Sequence, residues 1–146
     1  MSDEELEAFL AEERVITVAT IGPNGRPHLM PLWFVPDGTV LEGWTFARSQ
    51  KAKNLERDPH ATLQVEAGES YEELRGVMFE CDVALDHDTE RVADVGTALF
   101  TRYGADEEPD AATREMVEKQ APKRVALRFT PTRTVTWDHR KLGGTY

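Results

Sequence analysis

The chain is short of cysteine, of positive charge and of long apolar runs, and each shortage removes a class of answer. Its 146 residues hold one cysteine, Cys81. That excludes an internal disulfide and any zinc site built on several thiolates. Lys and Arg number 17 against 27 Asp and Glu, for a formal net charge of −10. A nucleic-acid partner is not expected, because phosphate neutralisation needs a basic face. No apolar stretch approaches the roughly 20 residues that cross a bilayer, so no membrane partner is expected either. The start, Met1-Ser2-Asp3-Glu4-Glu5, is acidic where a secretory signal would be basic, which makes a cytoplasmic protein the expectation. The four histidines, His28, His60, His87 and His139, show no metal-ligand spacing, so no metal is expected.

Against this acidic background, residues 43–55 contain Arg48, Lys51 and Lys53 and no acidic residue. The segment follows the apolar run Val40-Leu41-Glu42-Gly43-Trp44-Thr45-Phe46, and Ser49 is a good N-cap for a helix beginning at Gln50. Cations in the first turns of a helix oppose its dipole. An anion held by the free N–H groups of the helix start would remove the conflict, and the segment reads as a phosphate site. A solvated basic surface is the competing reading.

The remaining pattern is mainly β with short helices, in one domain spanning 1–146. An amphipathic helix is expected over 4–12. Strands are expected over 15–21 and 26–35, joined by the Gly22-Pro23-Asn24-Gly25 turn. Pro27 and Pro31 require the second of these to be an edge, bulged or bent. After a Pro36-Asp37-Gly38 turn, a third strand covers 39–46. The Ser49 helix ends near Asp58-Pro59, and a fourth strand covers 60–66. A long strand over 73–85 alternates Val77, Phe79, Cys81 and Val83 against Met78, Glu80 and Asp82. Asp88 or Thr89 caps a helix to about Tyr103, and a weaker helix covers 109–120. The last strands are 125–129 and 132–137. Six or seven mostly antiparallel strands with short helices between them suggest a small barrel split at one point. Trp44, Phe46 and Cys81 are assigned to its core. Trp33 stays open between core and ring contact. The acidic residues 106–110 are expected to be solvated.

The order and spacing of three segments resemble the pyridoxamine 5′-phosphate oxidase-like split-barrel flavoproteins, the flavin/deazaflavin oxidoreductases. They are the opening hairpin from Val15 to Phe34, the run Arg48-Ser49-Gln50-Lys51-Ala52-Lys53-Asn54-Leu55, and the strand Ala61-Thr62-Leu63-Gln64-Val65-Glu66. The resemblance implies a homodimeric FMN-binding split barrel with cofactor sites at the subunit interface. Arg48, Ser49, Lys51 and Lys53 would hold the cofactor phosphate, with Asn54 in the same binding segment. Pro31, Leu32 and Trp33 would lie along the ring system, and Gln64 would face the ring edge. Trp137, His139 and Lys141 either reach the partner subunit's site or form a frayed or packed strand end. The chain lacks the longer C-terminal extension of true pyridoxamine phosphate oxidases, which argues against pyridoxal phosphate synthesis.

The wording Arg-Ser-x-Lys-Ala-x-Asn-Leu resembles the short branch that uses the deazaflavin coenzyme F420, with FMN the alternative. Lys53 and Arg57 look like a basic row continuing toward an acidic cofactor tail. The expected function is hydride transfer from the reduced deazaflavin to a small organic acceptor. A non-catalytic flavin- or haem-binding protein is the alternative. No catalytic side chain is expected, because the cofactor supplies the chemistry.

Overall fold

The computed structural model describes residues 1–104 and 108–143. Asp106 and Glu107 of the acidic stretch, and 144–146 of the tail, lie outside the described residues. Helix α1 (Asp3–Glu12) starts at Ser2 through a reciprocal capping box. The Ser2 hydroxyl accepts from the Glu5 N–H, and the Glu5 carboxylate accepts from the Ser2 N–H. The strands are β1 (Val15–Ile21), β2 (Pro27–Trp33), β3 (Val35–Asp37), β4 (Val40–Phe46), β5 (His60–Ala67), β6 (Arg75–Asp86) and β7 (Arg124–Asp138). Helix α2 (Gln50–Arg57) links β4 to β5. Helices α3 (Thr89–Tyr103) and α4 (Ala111–Gln120) lie between β6 and β7. Among the described residues no helix is long and apolar enough to cross a membrane.

All seven strands pair antiparallel in one sheet, ordered β2-β1-β5-β6-β7-β4-β3. Its two edge strands, β2 and β3, are separated in the chain by Phe34 alone. Edges one residue apart force the sheet to curl. The seam shows this at Gly43 of β4, where an added Cβ would stand 2.9 Å from Leu32 Cδ2 and 3.0 Å from the Trp33 carbonyl O. The concave side holds the main core, with Phe9, Leu10, Ile16, Phe34, Leu63, Phe79 and Phe129 fully buried. A second core lies outside the barrel wall, where α3 and α4 cover Trp44 and Ala126 with Val92, Val95, Leu99 and Val117. Tyr103 at the end of α3 fastens the seam: its hydroxyl accepts from the Phe34 N–H at 2.9 Å and lies 2.6 Å from the Arg14 carbonyl. The neighbouring Arg102 donates to the carbonyls of Leu10 and Glu13.

The structure corrects three expectations. The segments 125–129 and 132–137 form one strand, β7, because the ladder to β6 continues across an irregularity at Glu80/Cys81. Pro131 faces Cys81 there, and Arg133 resumes the register opposite Glu80. A proline without an N–H is tolerated in this interior strand because it sits at the break in register. Pro36 and Asp37 belong to β3, and the hairpin tip is Gly38-Thr39, with Gly38 at φ 60°. Phe46 is not core: it is 49% exposed, whereas Trp44, two residues back on the same face, is buried under α3. The alternation in β6 is as expected. Val77, Phe79, Cys81 and Val83 point inward, and burial, with Asp82 nearby, pushes the Cys81 thiol up to about 12.

Candidate functional site

The basic segment folds as a strand leading into a capped helix. Ser49 accepts the Ala52 N–H at 3.2 Å and leads into α2. Successive helical residues turn about 100°, so Lys51 and Lys53 lie about 200° apart and face opposite ways. Lys51 is on the packed side with Ala52, Asn54 and Leu55, and it is 6% exposed. Its Nζ donates to Thr45 Oγ1 at 3.3 Å, and that hydroxyl lies 3.4 Å from Ser49 Oγ. No carboxylate pairs with it among the described residues. Burial holds its pKa below the ordinary lysine value. A buried ammonium with one hydroxyl partner is an unfavourable arrangement that a bound anion would relieve. Arg48, immediately before the cap, is exposed and has no hydrogen bond or ion pair among the described residues.

The other expected site residues divide. Asn54 is fully buried. It donates to Thr20 Oγ1 at 3.0 Å and accepts from Gln50, so it ties α2 to β1 and presents no surface to solvent. Lys53 is exposed and pairs with Glu56 at 3.3 Å. Arg57 turns back to donate to the Ile21 carbonyl. The basic row read from Lys53 and Arg57 is therefore already occupied by the protein's own acceptors, and it does not continue from Lys51.

Pro31, Leu32 and Trp33 run along the seam edge of the sheet. Trp33 stacks on Tyr103, with centroids 4.3 Å apart and rings 9° from parallel, and remains about half exposed. Gln64 is exposed on β5, on the outer side of the sheet, and donates to Glu66. Thr17 of β1 lies opposite Gln64 on one side and Pro31 on the other, so Gln64 and Pro31 share that outer face.

The described part of the tail packs on its own chain. Residues His139–Lys141 form a 3₁₀ turn against the 3₁₀ turn Tyr71–Glu73, with His139 Nδ1 2.9 Å from the Tyr71 carbonyl O. Asp138 caps that turn, and the Arg140 guanidinium holds its carboxyl well down, to about 2. Lys141 reaches Glu5 of α1 at 2.6 Å. Trp137 lies over Gly76, where an added Cβ would collide with the indole and stand 2.6 Å from the Val65 carbonyl O. Thr45 was not read from the sequence as a site residue. A threonine inside an apolar strand carries little signal, and only the folded chain brings it under Lys51.

The family model described as pyridoxamine 5′-phosphate oxidase matches residues 2–138. The chain belongs to that family. Its resemblance to the pyridoxamine 5′-phosphate oxidase-like proteins therefore holds across almost the whole length, and its curled antiparallel sheet is the family's flavin-binding split barrel. Among solved structures, a conserved hypothetical protein from Mycobacterium tuberculosis is 40% identical, with a TM-score of 0.90 over all of this chain and 90% of that one. An F420 reductase is 24% identical, with a TM-score of 0.68 over 88% of this chain and 94% of that one. A haem-storage protein from Vibrio cholerae is 18% identical, with a TM-score of 0.69 over 92% of each. The latter two share the fold. No curated protein matches the chain significantly.

Proposed function

We propose that the chain is an oxidoreductase that uses coenzyme F420, with FMN the alternative cofactor, and passes a hydride to a small organic acceptor. The observation that carries this is Lys51, a buried cation that pairs with no carboxylate among the described residues, in the first turn of the helix that Ser49 caps. Lys51, Ser49 and Arg48 would hold the cofactor phosphate, with Thr45 keeping the Lys51 ammonium in place. Pro31, Leu32, Trp33 and Gln64, on and beside the seam edge, would border the ring system. The bound cofactor would supply the hydride; the protein's part is to bind, orient and exclude water. The Arg-Ser-x-Lys-Ala-x-Asn-Leu wording, and the fold shared with an F420 reductase, support the deazaflavin over FMN. Parallel titrations of the purified chain with F420 and FMN test the choice. Tighter F420 binding is expected, and tighter FMN binding at both low and high salt overturns it.

Because Lys53 and Arg57 have partners, they contribute little to the preference. Lys53→Gln should leave both affinities within about twofold, since an exposed pair such as Lys53–Glu56 contributes only about 0–1 kcal/mol. Arg57→Gln should lower stability instead, by about 0.5–1.5 kcal/mol, through the exposed bond lost to the Ile21 carbonyl. Titration and thermal melts of the two variants separate these effects.

The dimer belongs to the same proposal. On the outer face of the sheet, Val15, Ile21, Leu29, Trp33 and Val135 are each between 39% and 59% exposed. The ladders place all five on one side of the β2-β1-β5-β6-β7 wall. So large an apolar face on a charged chain is well suited to a second copy. Light scattering at micromolar concentration is expected to give twice the chain mass; a monomer would remove the two-subunit site. Val15→Lys is expected to shift the equilibrium toward monomer.

A further inference from the structure

Beyond the Lys51 site, the outer side of β4 carries a recess of about 480 Å³ lined by Phe46, Ala47, Arg48, Pro122 and Lys123. The backbone that builds it is fixed: the Ala47 N–H donates to the Lys123 carbonyl at 3.0 Å, and Phe46 stands opposite Arg124 in the β4–β7 ladder. The size is that of a small-molecule site. Phe46 offers an aromatic surface that is half exposed, although its neighbour Trp44 on the same face is buried. The Arg124 guanidinium lies 4.1 Å from the Phe46 ring centroid and 4.5 Å from that of Trp44.

The charge pattern is one-sided. The Arg48 and Lys123 side chains on the lining are exposed and have no hydrogen-bond or ion-pair partner among the described residues. Among the described residues the Arg124 guanidinium has only the Gln120 amide oxygen as a hydrogen-bond partner, at 3.3 Å, and burial lowers its pKa. Most of the chain's other cations reach a carboxylate: Arg75 on Glu12, Arg91 and Arg128 on Glu42, Arg133 on Glu80. In a chain of net charge −10, three cations left without acids around one aromatic recess make a local anion trap.

Phe46 and Thr45 are adjacent in β4 and so project to opposite faces. Thr45 takes the Lys51 ammonium on one side, and Phe46 opens on the other. We propose that this recess is a second binding site, separate from the Lys51 site, that takes a small planar aromatic carboxylate. The ring lies against Phe46 and Pro122, and the carboxylate meets Lys123.

The test uses 2-naphthoate and its neutral counterpart 2-naphthalenemethanol as probes, with binding to the purified full chain followed by calorimetry. Naphthoate is expected to bind at least tenfold more tightly than the alcohol. Lys123→Glu, at an exposed position, should weaken naphthoate tenfold or more and leave the cofactor affinity within about twofold. Lys123→Gln should fall between. Lys51→Ala should leave naphthoate binding unchanged. Equal binding of the two probes, or naphthoate binding indifferent to Lys123→Glu, overturns the proposal. So does one-for-one displacement of naphthoate by F420 or FMN, which would make the recess part of the cofactor site. If Lys51→Ala also leaves cofactor affinity intact, the oxidoreductase reading fails, while naphthoate binding that depends on Lys123 still establishes the recess as a site.

Discussion

Lys51→Met is expected to lower cofactor affinity at least tenfold and to raise the melting temperature of the cofactor-free chain. Both effects come from one ammonium. Bound to a phosphate, it makes a charge-assisted hydrogen bond of about 1.5–3 kcal/mol, a tenfold or larger change in affinity. Without an anion it is a buried charge with one hydroxyl partner. An unbranched apolar side chain of similar length removes that cost, and a gain on the order of 1 kcal/mol follows. The pH dependence has a definite sign. Burial lowers the folded-state pKa of Lys51 below 10.5, so the unfolded chain holds its proton to higher pH. Stability of the cofactor-free chain therefore rises as pH climbs through the interval between the folded value and 10.5. Lys51→Met lacks that rise, so its advantage shrinks under alkaline conditions. Cofactor affinity of the wild type moves the other way and falls as Lys51 deprotonates. Thermal melts and titrations across alkaline pH check both slopes. A variant with unchanged affinity refutes the phosphate assignment; one that melts lower refutes the unfavourable burial.

The largest stability effect is expected at the contact of Trp44 with α3. A Cβ on Gly96 would stand 2.6 Å from Trp44 Cη2, so the helix meets the indole at a position with no side chain. Gly96→Ala should destabilise by about 1–3 kcal/mol through overpacking, even though alanine is the better helix former. Trp44→Ala should lose about 3–5 kcal/mol by leaving a large cavity between the barrel wall and α3. Because the two side chains occupy the same space, their effects should not add. Gly96→Ala in a Trp44→Leu background should cost less than in the wild type. Denaturant melts of the four chains measure the coupling. Strict additivity would mean that Trp44 does not pack on Gly96 in solution.

Most element boundaries were legible because local rules set them. Ser49 caps α2 as its side-chain chemistry indicates, Asp88 is the one of the two candidates that caps α3, and β6 alternates strictly over its inward positions. Two things were not legible and a third only in part, for different reasons. The continuity of β7 past Pro131 depends on a bulge opposite Glu80 and Cys81, a pairing 50 residues away in sequence. The exposure of Phe46 depends on where α3 stops covering the wall, which the apolar pattern of β4 does not encode. The fate of Lys53 and Arg57 was partly legible: helical angles already set them apart from Lys51, but the turn of Arg57 toward Ile21 is a tertiary contact. Family resemblance supplied the remaining site residues. Of those, the fold buries Asn54, stacks Trp33 on Tyr103 and ties the Trp137–Lys141 end to its own chain.

The seam at Phe34 also dictates when the protein can fold. β4 has only two strand neighbours, its hairpin partner β3 and the last strand, β7. Nothing between Arg57 and Arg124 can complete that side of the sheet, so a nascent chain must wait for its final strand before the wall closes. Contacts this distant in sequence slow folding. In the interval, β4 and β6 present open backbone edges of the kind that recruit other chains. Emergence of β7 from the ribosome is thus the committing event in biogenesis. Any stalled or truncated product ending before Arg124 should aggregate rather than persist as a partial barrel.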